Sequence, residues 1–348
     1  MLVLDNLIYR WQKSGGVSTV WYELTKRIIE RRQDYFFLEY ANSNNYNHLR
    51  AIEQIPADRT KILDDSLFLL KRYFPVSFDL DKPFIFQSSY YRTCCNNKAV
   101  NIITVHDFIY ERYRKGLAKK IHCLTKEYSI SKANYIVCIS QSTKNDLLNF
   151  YPDINKDNIR IIYNGASDSY HPIDTNKEDY LLFIGARGGY KNFSIAVDAA
   201  AKAGRPLIIC GKKLEEKEKE YLDRRIPQKY KDLGFVSEEK LNLLYNKAFA
   251  LIYPSSYEGF GIPVVEAQKA GCPVIAIKGS SIPEVIGNKF MLCDAATSDL
   301  ILERLNFLKN KSNRDIVIKD GLNKASKFSW DQTYNDYVQL YAEISQAL

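Results

Sequence analysis

The chain has 348 residues, 46% of them apolar, with 49 Lys and Arg against 41 Asp and Glu for a formal charge of +8. That length supports two domains of ordinary size whose cores need no staples, and no run of about eighteen apolar residues is present to span a bilayer. Seven cysteines, odd in number and without a C-x-x-C pair, and four histidines without metal-ligand spacing speak against a disulfide framework and against a metal-dependent reaction.

From the amino terminus, Leu2 to Tyr9 is an apolar run that reads as a first strand rather than a signal peptide, which predicts a cytosolic protein. Ser14-Gly15-Gly16 follows, then a helix over Val17 to Glu30. Strand, glycine turn and helix make the βα unit of a parallel sheet, whose ligands lie beyond the carboxyl ends of the strands. Gly15 and Gly16 therefore border a ligand or serve as plain loop hinges. Further strands are predicted at Tyr35–Tyr40, Phe84–Gln87, Val100–Val105, Tyr135–Ile139 and Ile159–Ile162, and the segment from Asn42 to Leu80, with Asn-rich turns and a basic aromatic stretch, reads as an acceptor-side excursion. His106-Asp107 stands at the end of the Val100 strand, where an α/β sheet delivers chemistry. The hydroxyls of Ser140-Gln-Ser-Thr143 suit a helix cap. Tyr163-Asn164-Gly165 reads as a turn, and the polar stretch Asp168 to Asp179 as a linker.

The positive excess lies in residues 1–168, with 24 Lys and Arg against 18 Asp and Glu. Clusters at Arg112 to Lys120 and Lys26 to Arg32 read as solvated helix faces or as a peripheral contact with an anionic membrane. No nucleic-acid recognition motif accompanies them.

A second series begins at Tyr180. Tyr180–Ile184 is a strand, and Phe193–Ala203 a helix. Between them Gly185-Ala-Arg-Gly-Gly-Tyr-Lys-Asn192 lacks both the dinucleotide and the P-loop order of glycines but offers Arg187 and Lys191 as exposed cations suited to a diphosphate. Pro206–Cys210 is a strand and Glu215–Asp223 a charged helix. Asp232 to Ser237 is read as a short strand and a capped helix start. Ala248–Tyr253 is a strand stopped by Pro254, and the loop Glu258-Gly259-Phe260-Gly261-Ile262 leads into a helix over Pro263–Ala270. The amides and dipole at that helix start favour an anion near Phe260 to Val264. Glu258 and Glu266, one in the loop and one a turn into the helix, are placed to accept hydroxyls of a sugar or ribose. Pro273–Ile277 is a further strand, Gly279 to Glu284 a turn into a helix, and the aromatic stripe after Phe328 has the spacing of a packing helix.

Taken together, Glu258 to Glu266 within Pro-Ser-Ser-Tyr-Glu-Gly-Phe-Gly-Ile-Pro-Val-Val-Glu-Ala resembles the Glu-x7-Glu motif of the retaining glycosyltransferases of family 4, which have the GT-B architecture of two facing Rossmann-like domains with parallel sheets and a cleft between them. Supporting matches are Gly15-Gly16, His106-Asp107, Tyr163-Asn-Gly165, the Arg187 to Asn192 loop, Gly234-Phe-Val-Ser and Gly271-Cys-Pro-Val. The resemblance implies an amino-terminal acceptor-side domain over 1–168, a nucleotide-sugar domain over 169–327, and a terminal helix, 328–348, packing back on the first.

It also implies roles. Glu266 would hold the ribose and Glu258 the donor sugar. Arg187 and Lys191 would bind the diphosphate with Gly15, Gly16 and the amides of Gly259, Phe260 and Gly261, while Asn164, Gly185 and Ile262 complete the donor site. His106 would meet the donor sugar and Asp107 the acceptor. No cofactor or metal is implied. The donor would be GDP-mannose or a UDP-hexose, and the acceptor a saccharide or lipid-linked saccharide. The chain looks most like bacterial mannosyltransferase-like members that build surface polysaccharide, through Leu-Asp-Asn-Leu-Ile-Tyr and His-Asp-Phe-Ile-Tyr-Glu. The alternatives are a non-catalytic sugar-nucleotide-binding subunit and an epimerase or phosphorylase of the same fold.

Overall fold

The computed structural model describes residues 1–32, 34–41, 43–64 and 66–348. It divides into two compact units, one of residues 1–164 with 330–348 and the other of residues 165–329.

The first unit is built on β1 (Leu2–Asp5), β2 (Tyr35–Tyr40), β3 (Thr60–Leu63), β4 (Phe84–Ser88), β5 (Ala99–Val105), β6 (Tyr135–Cys138) and β7 (Ile159–Ile161). They form one parallel sheet in the order β3-β2-β1-β4-β5-β6-β7. Every residue of β1 and β4 is buried, as befits central parallel strands covered on both faces. The strand order reverses between β1 and β4, and such a switch point opens a crevice at the strands' carboxyl ends.

The predicted first strand is too long: it ends at Asp5, and Leu7–Trp11 is a short helix, α1. Asn6 breaks the run because its amide is used sideways, accepting from Trp21 Nε1 at 2.7 Å and donating to Glu39 at 3.1 Å. Helix α2 (Gly16–Arg31) follows the glycine turn.

Asn42, where the expected excursion begins, lies outside the described residues. Beyond it, Ser43–Tyr46 and His48–Ile52 are short helices rather than turns, and Asn47 caps the second by accepting from the N–H groups of Leu49 and Arg50. Strand β3 was not predicted, because an edge strand with Lys61 and Ile62 facing solvent shows no apolar run. The short helix α3 (Phe68–Lys71), α4 (Ile109–Tyr113) and α5 (Leu117–Lys132) complete the elements used below.

The second unit has a six-stranded parallel sheet of β8 (Leu181–Ile184), β9 (Leu207–Cys210), β10 (Tyr230–Asp232), β11 (Ala250–Tyr253), β12 (Val274–Ile277) and β13 (Leu292–Cys293), ordered β10-β9-β8-β11-β12-β13. Its switch point lies between β8 and β11. Helix α6 (Phe193–Ala203) follows the glycine-rich loop, and α7 (Ile262–Lys269) the Glu258 loop. The strand expected within Asp232–Ser237 ends at Asp232, because Gly234 has φ +64° and turns the chain. Ser237 does cap the helix that follows, accepting from Lys240 N–H.

The terminal helix α8 (Trp330–Ala347) belongs to the first unit. Its Tyr337, Leu340, Tyr341 and Ile344 pack in one core with Leu2, Leu4, Trp21, Leu24 and Ile85, each such side chain contributing about 1.5–3 kcal/mol of burial. Tyr337 and Thr104 share a hydroxyl hydrogen bond at 2.9 Å. The aromatic stripe is therefore packing.

Candidate functional site

In the second unit, the carboxyl ends of the two switch-point strands deliver the two loops that the sequence marks. β8 runs into Gly185–Asn192, and β11 into Pro254–Gly261. Asn192, in the left-handed region at φ +50°, joins them by donating from Nδ2 to Pro254 O at 2.8 Å and to Ser256 Oγ at 2.7 Å. With the loops so fixed, Lys191 Nζ meets Glu258 Oε1 at 2.6 Å.

Glu258 is held in place from its backbone. Its N–H donates to Ser280 Oγ at 2.7 Å, and Ser281 Oγ donates to the carbonyls of Glu258 and Phe260 at 3.0 and 2.9 Å. The Tyr253 hydroxyl also reaches the Glu258 carboxylate. Gly261 has φ +103°, and a Cβ there would lie 2.8 Å from Ile282 Cδ1. The chain therefore turns here into α7 in a way no larger residue accommodates without strain. Gly259, Phe260 and Ile262 fall in the same turn, with Phe260 buried against Phe328.

Glu266 lies further along α7, where Tyr245 donates to Oε2 at 3.0 Å and Tyr170 also donates. Burial pushes its carboxyl up to about 7, against the lowering effect of the two tyrosines. A carboxyl poised between charge states can accept from hydroxyl groups of a ligand that favours its charged form.

Arg187 departs from expectation. It is not an exposed cation: its side chain is 4% accessible, with Nε on Glu218 Oε1 at 2.9 Å and Nη1 and Nη2 on the carbonyls of Lys212 and Lys213 at 2.6 and 2.8 Å. The reason is Gly185, whose φ of +111° turns the chain so that Arg187 faces the loop after β9. As placed, Arg187 ties two strand-end loops together, and Lys191 is the cation beside Glu258.

In the first unit, Gly15 packs closely while Gly16 does not. A Cβ on Gly15 would lie 2.6 Å from the Gln12 carboxamide, whereas one on Gly16 would meet nothing within 4 Å. Gln12 is itself engaged by Ser18 N–H at 3.0 Å, and Ser18 Oγ donates to Gly15 O at 2.9 Å. The β1 and β4 ends beside this loop are locked by a pair absent from the sequence reading. Arg92 gives Nη2 and Nε to the two oxygens of Asp5 at 2.6 and 2.8 Å, both residues being buried, and Ser88 Oγ donates to Asp5 at 2.9 Å.

His106 sits at the end of β5 and is buried. Burial, then the charge of Lys126, lower its pKa to about 4, so the ring is neutral near pH 7. Lys126, fully buried on α5, supports this corner: Nζ donates to Asp107 O at 2.6 Å, lies 2.9 Å from Glu111 Oε1 and stands 3.5 Å over the Phe108 ring. The burial of Lys126 depends on where α4 and α5 meet, which no local pattern in the sequence gives. Asp107 Oδ1 accepts from Ile109 N–H at 2.9 Å, a local turn that leads into α4. Asn164 is buried in an irregular stretch beyond β7 rather than in the predicted turn.

Among the described residues, no group of three or more His, Cys, Asp or Glu is placed to hold a metal ion. None of their helices is long and apolar enough to cross a membrane.

Two parallel sheets with strand-end loops at each switch point define an α/β transferase of the GT-B class, and the family comparison agrees. Residues 14–170 match Glycosyltransferase Family 4 and residues 169–325 match Glycosyl transferases group 1. The chain belongs to these glycosyltransferases.

Among particular relatives, the chain is 41% identical to O-antigen chain mannosyltransferase B of Escherichia coli over 110 residues, 30% of this chain and 29% of that one. It is 29% identical to O-antigen chain mannosyltransferase RfbU of Salmonella typhimurium over 192 residues, 53% of this chain and 54% of that one. The matches thus span about half the length of these relatives or less. The fold is similar to that of Anabaena Alr3699/HepE, solved in complex with UDP and glucose, at a TM-score of 0.71 and 15% identity over 100% of this chain and 99% of that one.

Proposed function

We propose that the chain transfers a hexose, mannose favoured, from a nucleotide-diphosphate sugar to a saccharide or lipid-linked saccharide acceptor during synthesis of a bacterial surface polysaccharide, with retention of anomeric configuration. GDP-mannose is the favoured donor and a UDP-hexose the alternative. The observation that carries this reading is the Lys191–Glu258 pair at the β8/β11 switch point, 2.6 Å apart and set beside the start of α7. The names of the similar mannosyltransferases support the choice of sugar.

In the proposed reaction the bond from the anomeric carbon to the diphosphate oxygen breaks, and negative charge collects on the diphosphate. Lys191 and the amides at the start of α7 are fixed charges and dipoles that meet it without reorganising. The acceptor hydroxyl attacks from the face the leaving group vacates, and its proton passes to the departing phosphate. A carboxylate pair flanking the sugar, as glycosidases use, is not called for. Glu258 takes hydroxyls of the donor sugar and Glu266 those of the ribose. Arg187 acts through the loop it fixes. His106 of the first unit, neutral and able to donate, serves the transferred sugar, and Asp107 the acceptor side. This route assigns leaving-group stabilisation to groups of the chain and requires no metal or cofactor. A cytoplasmic location with peripheral contact at an anionic membrane completes the reading.

Replacing Lys191 by Ala tests it. Loss of one preorganised charge of this kind lowers turnover by about 10²–10³, and the variant should melt as a folded protein. Unchanged turnover would remove the diphosphate assignment.

A further inference from the structure

One hollow of the first unit is lined by α1, the segment at α3, and α5. It is a cavity of about 350 Å³, within the range of small-ligand sites. Its walls are aromatic: Trp11, Tyr73, Tyr90, Tyr91, Tyr110 and His122. His122 stacks on Tyr110 with centroids 3.9 Å apart, and burial is the larger of two causes that lower its pKa to about 4, so the wall is uncharged there.

One cation enters this apolar lining. The Arg72 guanidinium lies 3.2 Å over the Trp11 ring and 4.4 Å over that of Tyr73, and its Nη2 donates to the Tyr73 hydroxyl. Its Nε and Nη1 are shielded from solvent and have no hydrogen-bond partner among the described residues. A shielded donor without an acceptor is costly, and an anionic group would relieve that cost.

Exposed apolar side chains adjoin this lining in the sequence. On α5, Leu117, Ile121, Leu124 and Tyr128 recur at helical spacing and are all exposed, Leu117 at 72% and Leu124 at 65%. At 100° per residue they fall within one narrow stripe about 16 Å long. In the chain segment around the lining residues Arg72 and Tyr73, Leu69, Leu70 and Phe74 are exposed at 60% or more. Leu117 and Ile121 belong to the stripe and line the cavity as well. Lys115 and Lys120 are exposed beside the stripe. A solvated helix face does not carry such a stripe, and a contiguous exposed apolar surface of this kind marks a binding surface. Cations beside it complement an anionic partner.

We propose that this cavity seats the hydrocarbon chain of a phosphate-bearing lipid, the carrier of the acceptor saccharide, with Arg72 facing its phosphate and the α5 stripe lying in the same lipid phase. The proposal rests on the transferase reading above and narrows its acceptor to a lipid-linked one.

The test is calorimetric binding of farnesyl diphosphate below its micelle point to the full chain, with inorganic diphosphate and farnesol as separate arms. Farnesyl diphosphate should bind at least tenfold more tightly than either. Ala118, which lines the cavity from an exposed position at the start of α5, can be enlarged without disturbing the core. Ala118→Trp should weaken farnesyl diphosphate at least tenfold, and Arg72→Gln should reduce its advantage over farnesol. All three arms are also run on Lys191→Ala, which removes diphosphate uptake at the second unit, and the preference for farnesyl diphosphate should persist in that variant.

Equal affinity for inorganic diphosphate, or no effect of Ala118→Trp, would overturn the proposal. So would equal affinity for farnesol, which would leave Arg72 without its role. Transfer onto a water-soluble saccharide is measured in parallel with the wild type. If it proceeds while farnesyl diphosphate fails to bind, the lipid site is wrong and the transferase reading stands. If no donor supports any transfer, the reading itself fails.

Discussion

Lys126→Met removes the buried ammonium that supports the His106–Asp107 corner. The structure sets the size of the effect. Nζ donates to Asp107 O at 2.6 Å and stands 2.9 Å from Glu111, whose side chain is 6% exposed. Breaking a buried pair from one side leaves the other charge uncompensated and costs about 3–5 kcal/mol. Removing both charges is far milder, so Lys126→Met with Glu111→Met should recover most of the loss, leaving about 1 kcal/mol for the Asp107 carbonyl that has lost its donor.

The second consequence concerns His106. Burial is the larger cause of its low pKa and the Lys126 charge the smaller, so the variant's His106 should titrate above about 4 yet below the ordinary 6.5. The sign for stability follows. A histidine depressed in the folded state contributes stability present above 6.5 and lost as pH falls toward the folded value. The variant should therefore lose less stability than the wild type between pH 6.5 and 4. Urea unfolding across that range, with histidine titration by NMR, measures both. A single-variant loss under about 1 kcal/mol with an unmoved His106 would refute the account of this corner.

Two other expectations concern Glu266 and the pair Gly261 and Gly16. Glu266, raised to about 7 mainly by burial, binds a proton more tightly folded than unfolded. Its share of stability is therefore full below the unfolded value and falls as pH rises toward 7. A ribose prefers the charged acceptor, so nucleoside diphosphate affinity should rise between pH 6 and 8, and Glu266→Gln should flatten that dependence; a steep rise retained in the variant would contradict the ribose role. Gly261→Ala should cost about 1–2 kcal/mol for the positive φ and weaken nucleotide binding, whereas Gly16→Ala, with open space around its Cβ, should leave the melting temperature within a degree or two of wild type or raise it. Equal effects at the two glycines in a melting experiment would show that local geometry is not what distinguishes them.

Most of the buried frame is legible in the sequence, because parallel central strands are short apolar runs closed by Gly, Pro or Asn. Tyr35–Tyr40 and Phe193–Ala203 are found at their predicted limits. Elements without that signature are missed, namely the half-exposed edge β3 and the two-residue β13. The Glu258 loop and its helix are legible because Gly261 and Pro263 have torsional duties that only those residues meet well. The partners of the site residues are not legible. Nothing local announces that Arg187 is spent on Glu218 and two carbonyls, that Ser280 and Ser281 hold the Glu258 backbone, or that Lys126 is buried beneath His106. Each of these depends on which strand ends the sheet order brings together.

The central claim is that the chain moves a sugar from a nucleotide diphosphate. Its most direct test is release of nucleoside diphosphate from a panel of GDP- and UDP-hexoses, measured with and without a saccharide acceptor. The account predicts release from one donor class, GDP-mannose favoured, that depends on the acceptor and is lost with Lys191→Ala. Release from no donor, or release indifferent to the acceptor, would contradict it.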